Sequence, residues 1–188
     1  MSEETPQVEP VATTPPLSPE WQAAVGDLIV AGLTRNDHPE LVTTPELLLG
    51  LLTRLRELDP PYDLLHDLCG VDRGEHLEVV YRLYQGYGPQ SLVVKVQTPR
   101  SGGRLPSVTA LWPLANWAER EAAEMFGLTF TGHPDPKHLL LPEGFVGYPL
   151  RKDFVIDRSD PYLAPDPLRD DPLTALGLKA EATKGSEE

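Results

Sequence analysis

The sequence predicts an α+β fold. The expected form is a small two-layer domain. Its antiparallel sheet has about three or four strands, its helices lie on one face, and a long irregular C-terminal strap follows. Three observations predict it. Leucines recur at helical spacing over 45–58. Two segments with strict apolar/polar alternation, 76–84 and 91–97, come next. A second helical pattern, from Ala115 or Asn116 to Phe126, precedes a stretch rich in Pro, Gly and His that has no period.

Taken in order, residues 1–19 contain five prolines and almost no large apolar groups, which reads as a disordered acidic tail. Ser18-Pro19-Glu20-Trp21 looks like a helix start, since serine caps, proline suits the first turn and an acid favours the dipole. A helix from there to about Ala31 would bury Trp21, Val25, Leu28 and Ile29, weakened by Gly26 and Gly32. In the Leu-rich helix, Leu47, Leu48, Leu51, Leu52, Leu55 and Leu58 share one face. Thr43 and Glu46 suggest a capping box around Pro45, and Asp59-Pro60-Pro61 stops the helix.

Residues 62–71 fit either period. Tyr62, Leu64 and Leu68 alternate, while Leu64, Leu65, Leu68 and Cys69 suit a helix. The short span between Pro61 and Gly70 favours a strand. Leu77, Val79, Tyr81 and Leu83 then alternate with Glu78, Val80, Arg82 and Tyr84, and Leu92, Val94 and Val96 continue the pattern in a second strand. Together these make an antiparallel hairpin. Arg100–Arg104 is a polar loop, Pro106-Ser107-Val108 begins a short helical turn, and Gly127 ends the last helix. The predicted organisation is a tail over 1–19, the domain over 20–130, an irregular docking segment over 131–156 and an acidic extension over 157–188.

Composition narrows the function. The 188 residues carry 29 acids against 16 bases, a net charge of −13. Such a chain lacks the positive footprint that nucleic acid or anionic lipid requires. The surplus sits mainly at the ends. Residues 1–40 hold seven acids and one base, and 157–188 hold eight acids and four bases. A single cysteine supports neither a disulfide framework nor a thiolate-ligated cluster. The first residues lack the basic start and apolar run of a signal peptide, and Leu47–Leu52 is far short of a membrane span. A cytoplasmic protein is expected, with any membrane association through a partner.

Several residue types could carry chemistry. Glu121 and Glu124 fall at i,i+3 and Arg120 meets Glu124 at i,i+4, which suits acid/base work or, more plainly, a salt-bridged helix surface. His133 and His138 are separated by Pro134 and Pro136, so they cannot form a helical metal pair. Cys69 reads as a small buried hydrophobe. On a strand, His66 and Cys69 would point to opposite faces. No phosphate-binding glycine pattern is present. Gly147–Phe154 places Arg151 and Lys152 together in a proline-rich half. It reads as a docking strap in which Arg151 donates to carboxylates or carbonyls and Tyr148 and Phe154 anchor.

The runs Ser107-Val108-Thr109, Asn116-Trp117, Glu119-Arg120-Glu121-x-x-Glu124-Met125-Phe126-Gly127, Gly132-His133-Pro134-Asp135, Lys137, Leu139-Leu140 and Gly147-Tyr148-Pro149-Leu150-Arg151-Lys152-Asp153-Phe154 closely resemble the 30-kDa subunit family of respiratory complex I. Bacterial members are the C-type subunit of the proton-pumping NADH–quinone oxidoreductase. The motif block covers about 107–154 and a weaker match reaches back to about 40. Residues 1–35 and 158–188 match nothing. Glu124 stands where the family usually has Asp, and His138 where it has an Arg-type cation.

The resemblance implies a non-catalytic subunit of the peripheral arm, on the cytoplasmic side of the inner membrane and held there by partners. It implies no cofactor on this chain. FMN, iron–sulfur clusters, NADH and a quinone would be handled by other subunits. The implied partners are the quinone-pocket (49-kDa-type) subunit and neighbouring iron–sulfur subunits. Residues 127–156 would lie across the former, with Arg151, Lys152 and His133 making charge-assisted contacts. Glu119, Arg120, Glu121 and Glu124 would form a partly buried network joining helix to strap. Two other readings stand beside this one: the equivalent subunit of a membrane-bound hydrogenase or ferredoxin-accepting complex, and a stand-alone carboxylate or metal hydrolase using Glu121, Glu124, His133 and His138.

Overall fold

A computed structural model describes residues 18–35, 38–86 and 88–155. Most of the acidic tail and the whole of the C-terminal extension, 157–188, lie outside the described residues. The chain divides into a compact unit up to Lys152 and a second unit from Asp153.

The first helix, α1 (Pro19–Val25), carries proline in its first turn and Glu20 beside it. It is shorter than the sequence suggests. Gly26 opens one 3-10 turn, Gly26–Leu28, and the backbone is extended at Ile29. Strands β1 (Ala31–Arg35) and β2 (His38–Thr43) then form a hairpin that no sequence signal announced. Helical spacing of Leu28 and Ile29 thus stops short of Ala31, because that residue pairs with Val42. Trp21, Leu28 and Ile29 still pack on the core as expected, around a fully buried Val25.

Helix α2 spans Leu48–Arg56. The expected capping box does not form. Thr43 ends β2 and its hydroxyl donates to the Leu28 carbonyl at 2.7 Å. Glu46 lies outside the helix, and its pKa is held low mainly by the Thr44 hydroxyl. The leucine stripe is as predicted: Leu48, Leu51, Leu52 and Leu55 have no exposed surface.

The ambiguous segment is a strand, β3 (Leu64–Asp72), continuing through Gly70. With β4 (His76–Tyr84) and β5 (Ser91–Pro99) it completes a five-stranded sheet in the order β1-β2-β5-β4-β3. The sheet is larger than expected and mixed, because β2 runs parallel to β5 while the other neighbours are antiparallel. The hairpin β4–β5 was legible in full. Leu77, Val79, Tyr81 and Leu83 face the helices together with Leu92, Val94 and Val96, all fully buried. The opposite face carries half-buried Val42, Val93 and Lys95 beside exposed Arg82 and Gln97. Alternation on each strand therefore gives the two layers.

Pro106 does not begin a helical turn. It closes β6 (Arg104–Pro106), which pairs in parallel with β7 (Thr129–Thr131), and the turn starts at Val108. Helix α3 (Ala115–Phe126) matches the sequence reading and ends at Gly127, whose φ of 69° is left-handed. It packs on β3. The Phe126 ring lies so close over Gly70 that a β-carbon there would sit 2.4 Å from Cδ2. Only glycine permits this approach.

Cys69 is exposed on the outer face of the edge strand, not buried. A bulge at His66 shifts the register, and the His66 ring lies 5.2 Å from that of Tyr84, on the same side of the sheet as Cys69. Partial burial, then the carboxylates of Asp67, Glu121 and Glu78, raise the thiol pKa. These are not the surroundings of a nucleophile.

Candidate functional site

After β7 the chain turns at Gly132 and runs back along α3 without regular structure as far as Lys152. An irregular segment leaves its backbone polar groups unpaired unless something else meets them. Here side chains of the domain do so.

Glu124 is the central anchor. Its buried carboxylate accepts the backbone N–H groups of Leu139 and Leu140 at 2.9 Å and of Leu141 at 3.3 Å. One turn earlier, Arg120 donates from Nε to the Lys137 carbonyl at 2.8 Å and from Nη2 to the His138 carbonyl at 2.7 Å. Spacing suggested that Arg120 and Glu124 would pair with each other. Instead one takes carbonyls and the other takes amides of five successive strap residues.

The end of α3 is closed the same way. The Leu150 N–H reaches the Met125 carbonyl at 3.2 Å, and Arg151 Nε reaches the Phe126 carbonyl at 2.7 Å. These are carbonyls that a helix end leaves open, at its negative pole, so a guanidinium there is doubly favoured. Arg151 also donates to the Arg100 carbonyl at 2.8 Å and lies over the Tyr148 ring, 4.5 Å from its centre. A β-carbon at Gly127 would sit 2.5 Å from Tyr148 and 2.8 Å from Arg151. Asp72, at the end of β3, accepts the Lys152 N–H at 2.8 Å and the Gly74 N–H at 2.7 Å, and pairs with Arg100 at 2.9 Å. The Lys152 amide is the main cause of its lowered pKa.

Glu119 points inward and caps no strap residue. Its Oε1 accepts the Val108 N–H at 2.7 Å, and the side chain has no exposed surface. Burial raises its pKa, offset in part by the Ser107 hydroxyl, the Val108 amide and His133. His133 Nε2 lies 4.0 Å from Glu119 Oε2. The Asp135 N–H donates to His133 Nδ1 at 3.0 Å, so that nitrogen is bare. The proton therefore sits on Nε2, 3.0 Å from the Asn116 carbonyl that accepts it. With both ring nitrogens bonded inside the chain, His133 is an internal brace, not the docking contact expected of it.

The predicted residues thus separate into groups. Glu119, Arg120, Glu124, His133 and Arg151 are joined to the fold as described, and Phe126 and Gly127 form the seat of the strap's end. Gly132 supplies the left-handed turn, with φ 83°. Pro149 is half-buried. Pro134, Lys137, Leu150 and Lys152 are exposed, as is Asp153 at the start of the second unit. Lys137 pairs with Asp135 at 3.2 Å. Glu121 is exposed and is not part of the buried network. Asp72 and Arg100, which the sequence did not single out, complete the clamp.

Strap and helix enclose a half-open cavity of about 480 Å³ lined by Leu128, Phe130, Phe145 and Tyr148 among others. The four residues of a hydrolase site do not converge. Glu124 is saturated by amides, both His133 nitrogens are bonded, and Glu121 faces solvent. Among the described residues no group of three His, Cys, Asp or Glu could hold a metal ion.

This geometry meets a family match at the same residues. The family model described as the 30-kDa subunit of the respiratory-chain NADH dehydrogenase matches residues 41–160, which takes in the end of β2, β3 to β5, α3 and the whole strap.

The chain belongs to this family.

Curated relatives agree. The C-type subunit of NADH-quinone oxidoreductase from Moorella thermoacetica is 47% identical over 120 residues, covering 63% of this chain and 80% of the relative. The protein of the same name from Sinorhizobium medicae is 42% identical over 137 residues, 71% of this chain and 68% of the relative. Among solved structures, a trypsin-resistant fragment of Nqo5 superposes with a TM-score of 0.50 at 27% identity, over 62% of this chain and 96% of the fragment. A chain of an archaeal membrane-bound sulfane sulfur reductase gives a TM-score of 0.53 at 20% identity, over 90% of this chain and 96% of that one, and so shares the fold. As a complex I 30-kDa-family member, the chain is one component of a hetero-oligomeric respiratory complex. Among its described residues no helix is long and apolar enough to cross a membrane.

Proposed function

We propose that the chain is a non-catalytic assembly subunit of the peripheral arm of a proton-pumping NADH–quinone oxidoreductase. Its strap docks on the quinone-pocket subunit and on neighbouring iron–sulfur subunits, at the cytoplasmic side of the membrane. FMN, the iron–sulfur clusters, NADH and the quinone belong to those other subunits. One observation supports the docking reading above all. Arg120, Glu124 and Asp72 bond the strap's backbone at 137–141 and at Lys152, which holds the segment while its side chains point outward. Leu140, Val146 and Leu150 do so, at 61%, 77% and 55% exposure. A segment ordered before association loses less entropy on binding, and apolar groups with satisfied backbone suit the centre of an interface.

The relatives named NADH-quinone oxidoreductase, at 38–47% identity, favour this complex over a hydrogenase or ferredoxin-accepting one. The test is recovery of the complex through a tag on this chain. Wild type should bring down flavin and iron–sulfur proteins with NADH dehydrogenase activity. Val146→Asp with Leu150→Asp should bring down little, while the isolated variant keeps its thermal midpoint. Full recovery with that double variant would remove the strap from the interface.

A further inference from the structure

Helix α3 has a second side that the strap does not use. Ala115, Glu119, Ala122 and Phe126 form its buried face. Leu114, Trp117 and Glu121 fall at i, i+3 and i+7 on the other face, one above another. Leu114 is 58% exposed and Trp117 is 69% exposed, and Glu121 is exposed as well. Among the described residues, Trp117 has no hydrogen bond or ring contact and Glu121 has no hydrogen bond or ion pair. The rest of this helix is engaged: Arg120 and Glu124 hold the strap, and the Asn116 carbonyl takes His133. The strap also begins beside this stripe, since that bond fixes His133 to the helix and exposed Pro134 follows.

We infer that the Leu114–Trp117–Glu121 stripe is a second docking surface, and that its occupant is a cationic, arginine-bearing segment of a partner subunit. The guanidinium would stack on Trp117, its charge would meet the Glu121 carboxylate one turn on, and an aliphatic neighbour would cover Leu114. Charge selects this occupant. A second copy related by a two-fold axis through this stripe would bring two exposed Glu121 carboxylates toward each other. An anionic lipid surface would meet the same carboxylate. The inference rests on the reading of this chain as an assembly subunit, and adds a contact separate from the strap.

The three side chains are exposed, so their replacement leaves the fold intact and the test is direct. Complexes are isolated through a tag on the full-length chain, at low and at raised salt. Trp117→Ala should lower recovery of partner subunits about tenfold, the loss typical of a tryptophan hot spot. Glu121→Arg should do the same, and Glu121→Gln should lower recovery less and remove its salt dependence. Wild-type recovery with Trp117→Ala overturns the inference. So does a Trp117-dependent dimer of the isolated chain in sedimentation, or Trp117-dependent binding to anionic vesicles. The strap variant Val146→Asp with Leu150→Asp separates the two ideas. If it loses partners and Trp117→Ala does not, the stripe fails alone. If neither loses partners, strap and stripe are both removed from the interface, and if the wild type itself brings no partners down, the assembly reading fails.

Discussion

At the scale of single residues, two buried carboxylates of α3 do opposite things. Glu124 takes three amides on its carboxylate. Hydrogen bonds to a charged group contribute about 1.5–3 kcal/mol each when lost. Glu124→Gln keeps the length but offers one acceptor and a donor that faces amides. It should expose the Leu139–Leu141 amides to hydrogen exchange and open the strap to protease while the sheet stays protected. Glu119 is the reverse case. Its folded pKa lies above the ordinary value, so charging it works against folding. Its contribution is fully present below the unfolded pKa and declines as pH rises through the folded one. Glu119→Gln retains the acceptor for Val108 and removes that pH dependence. Its denaturant midpoint should therefore fall less than the wild type's as pH rises above the ordinary carboxylate range. Asp72 has the opposite sign. Its pKa is lowered, so its hold on Lys152 is complete above the unfolded carboxylate value and is lost as pH falls through the folded one. Protection of the Lys152 amide, measured against its intrinsic exchange rate, should fall on acidification, and Asp72→Asn should abolish that step.

At the scale of elements, the periodic segments were legible and the short ones were not. The α2 leucines and the β4–β5 alternation are each repeated over two or more turns or pairs, and burial enforces them. Leu52→Ala should cost about 2–5 kcal/mol in denaturant unfolding, because its site is closed on every side. The β1–β2 hairpin escaped because Gly32 and Pro39 blur both propensity and period, and its pairing with β5 is a parallel contact far along the chain. The parallel β6–β7 pair escaped for the same reason: each strand has three residues, too few to show a period. Gly127 marks where an element and the strap meet. Gly127→Ala places a side chain at positive φ, which costs about 1–2 kcal/mol, and drives it into Tyr148 and Arg151. Stability should fall by at least that much, with early proteolysis between 132 and 152.

At the scale of the whole molecule, sequence by itself determined the layering, the leucine core and the residues of the strap motif. It did so because apolar period and glycine, proline and charged residues at fixed spacing act locally or through simple burial. It also separated the acidic ends from the domain. What those motif residues do was decided only by tertiary structure. Arg151 and His133 looked like groups waiting for a partner, and both are bonded inside the chain. Glu121 looked like part of a buried network and faces solvent. A carboxylate on a helix can turn to a strap, a cap or water, and its sequence neighbours are alike in all three cases. The choice depends on which backbone amides arrive from 15 or more positions away. That arrival is a property of the folded chain, and it turns an irregular, proline-rich segment into a fixed surface.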